Sequence, residues 1–291
     1  QREVVAKLLA DAKKGKVTKD GWAEHLIYVL VDGVTRRGHM LNLIAAEALR
    51  DVGFTVIELM AADYEIFELR IGGFTASEMK VSGRKAPELK AGGYNAGQMK
   101  RGGYTVSQLK AAEYTPAELK AGGFVAKQLK AVGFEAIELK EEGFTCTELR
   151  QGTFTAKDLQ PLEYKVEELR VAGFSASELK AIGSQLTELQ AGGYSASELR
   201  AASYSTVEMK AVGFTAVDLK GAGYSAIEMR SAGYNATVMK DAGFSAKKLN
   251  NAGYSASELL GVKWSVEVLK GAGYTSAELK EAGCSAIELK A

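Results

Sequence analysis

From residue 51 to Lys290 the apolar residues recur neither with the alternation of a strand nor with the stripe of a long helix. They fall at two fixed places in a block of ten, and the block repeats twenty-four times without insertion or deletion. AGGYSASELR, residues 191–200, is representative. Position nine is Leu or Met in all twenty-four blocks, and position four is Phe, Tyr or Trp in twenty-one. These two columns are the expected core. Position three is Gly in eighteen, position five Ser, Thr or Asn in eighteen, position eight Asp or Glu in eighteen, and position ten Lys or Arg in nineteen. Positions one and seven vary freely, as solvent-facing sites do.

The columns together specify one short helix per block. Ser195 is placed as an N-cap, and Glu198 three residues on can reach back to the cap's amide, the reciprocal arrangement of a capping box. Tyr194 before the cap and Leu199 inside the helix form a hydrophobic staple. The acid lies in the first turn and the base toward the C-terminal end, as the helix dipole favours. Gly at position three of the following block fits a left-handed C-terminal stop. The spacing predicts helices of about seven residues, roughly 10 Å long at 1.5 Å per residue. Such helices do not survive alone in water, so they must stack. The predicted fold is an all-α solenoid of very short helices.

The main rival comes from a resemblance. An aromatic and a Leu five residues apart, with Ser or Thr after the aromatic, resemble the alternating centres of the pentapeptide-repeat family, which implies a right-handed β-solenoid. In that family the residue two before each centre is small and points inward. Here position seven would bury Lys127, Lys157, Glu167, Lys247 and Glu267, which is costly without partners.

Exceptions to the consensus carry a second spacing. Gly at position three gives way to Asp63, Glu113, Glu163 and Lys263, separated by multiples of fifty, and to Thr153 and Ser203. The aromatic column fails at Arg84, Ser184 and Cys284, one hundred apart. A fifty-residue super-period follows, from duplication or from a coil that returns to the same angle. In the second case five helices per turn, or two and a half, fit better than a two-helix hairpin, and the extended rod is preferred.

Residues 1–50 break the pattern. VVAKLLADAKKG, GWAEHLIYVLVDGV and HMLNLIAAEALRDVG read as three helices, so 1–50 is expected to be an N-terminal helical cap or docking segment and 51–291 the solenoid. Within it, Lys14–Trp22 resembles the second half of an EF-hand loop, but Ala10, Ala12, Lys14 and Gly21 stand where oxygen ligands are needed. A helix-linking turn is the better reading. His25 and His39 have no partner at metal-ligand spacing.

Composition narrows the function. With 46% hydrophobic and 25% charged residues and a net charge of +1, the chain of 291 residues is neither disordered in character nor strongly basic. Its 32 Gly against 3 Pro follow from the repeated stop. Two cysteines, Cys146 and Cys284, suggest a reducing, intracellular setting. No apolar run spans a membrane. No phosphate loop or nucleophile elbow occurs, and the recurrent acids lack the single differentiated surroundings that catalysis needs. No catalytic, cofactor or metal site is expected. Nineteen bases at position ten raise nucleic-acid or polyanion binding as an alternative, but the acids at position eight nearly cancel them, and the two columns are expected on different sides.

The expected function is a non-catalytic scaffold or linker that docks protein partners, or further copies of itself, along a rigid repeat surface. The expected contact residues are the departures from consensus: Arg84, Glu113, Glu163, Ser184, Lys263 and the exposed Trp264.

Overall fold

The computed structural model describes residues 46, 47, 49–51, 53–285 and 288. The expected cap over 1–50, with the EF-hand-like turn and both histidines, lies almost wholly outside them. Among the described residues there are twenty-three short α-helices with defined bounds, helical residues at 46, 47 and 49–51, one 3-10 turn and no strand, so the fold is the all-helical solenoid and not the β-solenoid.

Every α-helix with defined bounds but Ala156–Leu159 runs from position six of a block to position one of the next, six residues rather than seven, as in Ala76–Val81 and Ala96–Arg101. The stop explains the length. Phe74 N–H donates to Leu69 O and Gly73 N–H to Arg70 O, the bond pair of a Schellman motif, with Gly73 at φ 85°. In a helix this short the fourth residue from the entrance is also the third from the exit. The leucine of position nine therefore packs against the aromatic before its helix as a staple and against the aromatic after it as the C-terminal hydrophobic contact. Almost every described leucine or methionine of this column is 0–1% exposed; Leu169 is an exception at 7%.

At the entrance, Thr75 N–H donates to Glu78 Oε2 at 2.7 Å and Glu78 N–H to Thr75 Oγ1 at 3.2 Å. Where position five is not a cap former, the acid or glutamine half alone remains, as from Val125 N–H to Gln128 Oε1 at 3.1 Å and from Glu135 N–H to Glu138 Oε2 at 2.7 Å. Where position eight is Val238, Lys248 or Val268, the side chain of Asn235, Ser245 or Ser265 remains. No described helix lacks both halves.

Contacts divide the chain into two compact units, Gln1–Phe154 and Thr155–Ala291. In the first, Ala76–Val81 packs on Ala96–Arg101 and Ala86–Ala91 on Val106–Ala111. In the second, Val166–Val171 packs on Leu186–Ala191 and Ala176–Ala181 on Ala196–Ala201. Within each unit helices thus stack on the second helix along, and a layer holds two blocks, or twenty residues. This corrects the expectation of five or two and a half helices per turn. Residues fifty apart are two and a half layers apart, so the fifty-residue spacing is not the step of the coil.

Layers approach closely where position two meets position six of the layer before. A Cβ on Gly102 would stand 2.6 Å from the Ala76 Cβ, and one on Gly92 would stand 2.3 Å from Ile66 Cγ2. The larger Ile66 and Val166 at position six are matched by Gly92 and Gly192.

Candidate functional site

The charged columns are used inside the lattice. Lys110 Nζ donates to Val132 O at 2.9 Å and to Gly133 O at 2.8 Å, the C-cap and stop carbonyls that follow the helix Ala126–Ala131 one layer on, and lies 4.1 Å from the centroid of the Phe134 ring. Lys210 repeats this with Ala232 O, Gly233 O and the Tyr234 ring. A cation at a helix C-terminus and over an aromatic face gains on both counts. Some of these bases also meet the acid of that layer, twenty-eight residues on: Lys120 lies 2.8 Å from Glu148, Lys90 3.4 Å from Glu118 and Arg230 3.4 Å from Glu258. The acidic and basic columns therefore converge between layers, where the sequence had placed them on different sides.

The aromatics add a third tie. Tyr94 Oη donates to Phe74 O at 2.7 Å and Tyr114 Oη to Tyr94 O at 2.5 Å, and in the second unit Tyr274 donates to Tyr254 O. Burial pushes the Tyr114 phenol up to about 12, with the Glu118 charge adding to it. Hydrogen bonds from the Ser195 hydroxyl and then its amide hold the Glu198 carboxyl below its usual range, and Ser225 does the same for Glu228.

The lattice is broken at one place in the second unit. Pro161 occupies a last-turn position, and the helix Ala156–Leu159 gives way to the 3-10 turn Gln160–Leu162. Glu163 follows at φ 53°. One layer on, Ser184 stands in the aromatic column. A hollow of about 620 Å³ opens there, lined by Leu159, Gln160, Tyr164, Leu169, Ile182, Ser184 and Glu188 among others. Leu169, which lines the hollow, is 7% exposed, against 0% for Leu179 and Leu189.

The expected contact residues are not brought together as a set. Arg84 and Glu113 are in the first unit; Glu163, Ser184, Lys263 and Trp264 are in the second. Ser184 lines the hollow, and Glu163 directly precedes Tyr164, which also lines it. Glu113, Glu163 and Lys263 are exposed, and each holds the left-handed stop that glycine holds elsewhere. Arg84 is half-buried in the aromatic column, where its carbonyl accepts from Tyr104 Oη at 2.7 Å; its Nε is buried with no hydrogen-bond partner among the described residues. Trp264 is not the exposed residue expected. It is half-buried in its column with Lys240 Nζ 5.2 Å from its ring centroid.

Sequence reasoning missed Gln160 and Glu188, although a signal was present. The base of position ten lies over the aromatic twenty-four residues on. The three blocks without an aromatic, at Arg84, Ser184 and Cys284, are each preceded at that distance by a residue that is no cation: Met60, Gln160 and Leu260. Wherever the ring is lost the cation is lost with it, although the converse does not hold: Gln190 and Asn250 replace the base while Phe214 and Tyr274 keep the ring.

A family model described as the decapeptide repeat region matches residues 44–116, 93–166, 163–236 and 233–291, in overlapping windows that cover the array end to end. The chain belongs to the decapeptide repeat family. No curated protein matches it. Among the described residues of this decapeptide repeat protein, no cluster of His, Cys, Asp and Glu could hold a metal ion, and no helix is long and apolar enough to cross a membrane.

Proposed function

We propose that this decapeptide repeat protein is a non-catalytic scaffold or linker that docks protein partners along its repeat surface. The observation that carries the reading is the division of labour among positions. Acids close helix entrances and bases close helix exits one layer on, so both charged columns serve the lattice and neither is set apart for chemistry. What faces outward is variable and partly apolar. Ile57, Phe67 and Val81 in the first unit, and Val207, Val217 and Ile227 in the second, are 41–87% exposed. Exposed apolar side chains recurring at fixed register suit protein surfaces better than phosphate.

The same division weakens the polyanion alternative. A lysine committed to two carbonyls and a ring face releases little counterion on meeting phosphate.

The test is capture of partners from lysate of the source organism on the immobilised 291-residue chain. It is run beside a variant carrying Arg84→Phe, Glu113→Gly, Glu163→Gly and Lys263→Gly, with mass spectrometry as the readout. A protein retained by the first and lost by the second identifies a partner and its docking blocks. Retention of nothing specific by the unaltered chain overturns the reading.

A further inference from the structure

We infer that the hollow at Ser184 is a docking site for a partner segment that presents an aromatic side chain beside a Lys or Arg. The inference rests on the docking role proposed above and names where it acts and on what chemistry.

In the regular layers the space between position four and its neighbours is filled by a ring, and the far face of that ring is covered by a cation from twenty-four residues earlier, as with Lys110 and Phe134. At Ser184 the ring is absent, and at Gln160 so is the cation. The Gln160 amide keeps the carbonyl contact of the regular base, to Ile182 O at 3.0 Å as Lys110 makes to Val132 O, but brings no charge. The walls that would hold the ring remain: Leu159, Tyr164, Leu169 and Ile182 line the hollow.

The second half of the vacancy is electrostatic. Glu188 stands twenty-eight residues after Gln160, the relation in which Glu148 receives Lys120 at 2.8 Å and Glu258 receives Arg230 at 3.4 Å. Glu188 lines the same hollow and accepts from Gln185 N–H at 2.8 Å, with a neutral residue where its cation would be. The charged residues of the lining are Lys165, Glu167 and Glu188, a net acidic rim. An incoming ring with an adjacent cation restores both contacts that the lattice makes elsewhere. The partner's cation then meets Glu188 and lies against its own ring, and the ring meets the leucines.

The probe is the tetrapeptide acetyl-Gly-Tyr-Lys-Gly-amide, titrated into the full chain and followed by saturation-transfer NMR, with the Ala-Lys and Tyr-Glu tetrapeptides as comparisons. The Tyr-Lys peptide is expected to bind about tenfold more tightly than either. Two variants locate the binding. Gln160→Lys with Ser184→Tyr rebuilds the regular pair and fills the hollow; it should melt no lower than the unaltered chain and lose the peptide. Glu188→Gln keeps an oxygen for the Gln185 amide and should reduce the preference for Tyr-Lys over Tyr-Glu. Equal binding of the three peptides, or binding undiminished in the filled variant, overturns the inference. Should lysate partners be retained equally by the filled variant, the hollow is excluded while the docking role stands. Should the unaltered chain retain no partner, the docking role fails, and the peptide titration still reports on the hollow.

Discussion

Position three must take φ between about 50° and 100° to stop each helix, and glycine does so without steric cost. Gly123, at φ 82°, and Glu113, at φ 60°, occupy the same structural position, so substitutions at the two should have opposite signs. Gly123→Ala is expected to lower stability by about 1 kcal/mol, and Glu113→Gly to raise it by about the same, in paired thermal melts. Close approach acts separately from φ. Gly102→Ala would drive a Cβ against the Ala76 backbone at 2.7 Å and should cost about 1–3 kcal/mol although its φ is unstrained. The glycine of position three was legible in the sequence as a stop. The glycine of position two was not, because its reason lies in a layer twenty-six residues away.

A six-residue helix has too few internal bonds to persist, so its two ends decide whether it forms. Glu138 caps the entrance of Ala136–Glu141 through the Glu135 amide, at 2.7 Å. Glu138→Ala should therefore cost about 1 kcal/mol, read by urea denaturation. The caps also set a pH dependence. Glu198 and Glu228 have folded pKa values below their unfolded ones, held there by serine hydroxyls and amides. Their contribution is complete above the ordinary carboxylate range and is lost as pH falls through the lowered folded values. The melting temperature should hold from pH 7 down to about 5 and decline steadily toward pH 3. Capping was readable from the sequence because every partner lies within three residues.

Stability of the whole array comes from layer-to-layer ties, since each layer touches only its neighbours. The cation, the ring and the C-terminal carbonyls form one such tie, and it should be measurable as a coupling. A double-mutant cycle of Lys110→Met and Phe134→Leu is expected to return about 0.5–1 kcal/mol between residues twenty-four apart, against additivity for Lys110 and Phe124. The phenol ladder adds an alkaline limit. Burial raises the Tyr114 phenol to about 12, so its stabilisation is full below pH 10 and falls away as pH rises from there toward 12. Absorbance at the phenolate band should show a class of tyrosines that ionise only as helical ellipticity is lost.

The sequence by itself determined the helix, its entrance, its exit and its two core columns, since all of these are local: Ser195 with Glu198, Tyr194 with Leu199, Gly73 after Leu69. It also exposed the departures at Glu163 and Ser184. Only the tertiary structure decided that each helix stacks on the second one along. That choice depends on how tightly position two can approach position six, as Gly92 does Ile66, and no residue within a block encodes it. The fate of the charges followed from the same choice. Whether Lys120 faces solvent or the carbonyls and carboxylate of the next layer depends on what lies twenty to thirty residues away, and one-dimensional spacing carries no distance across a layer.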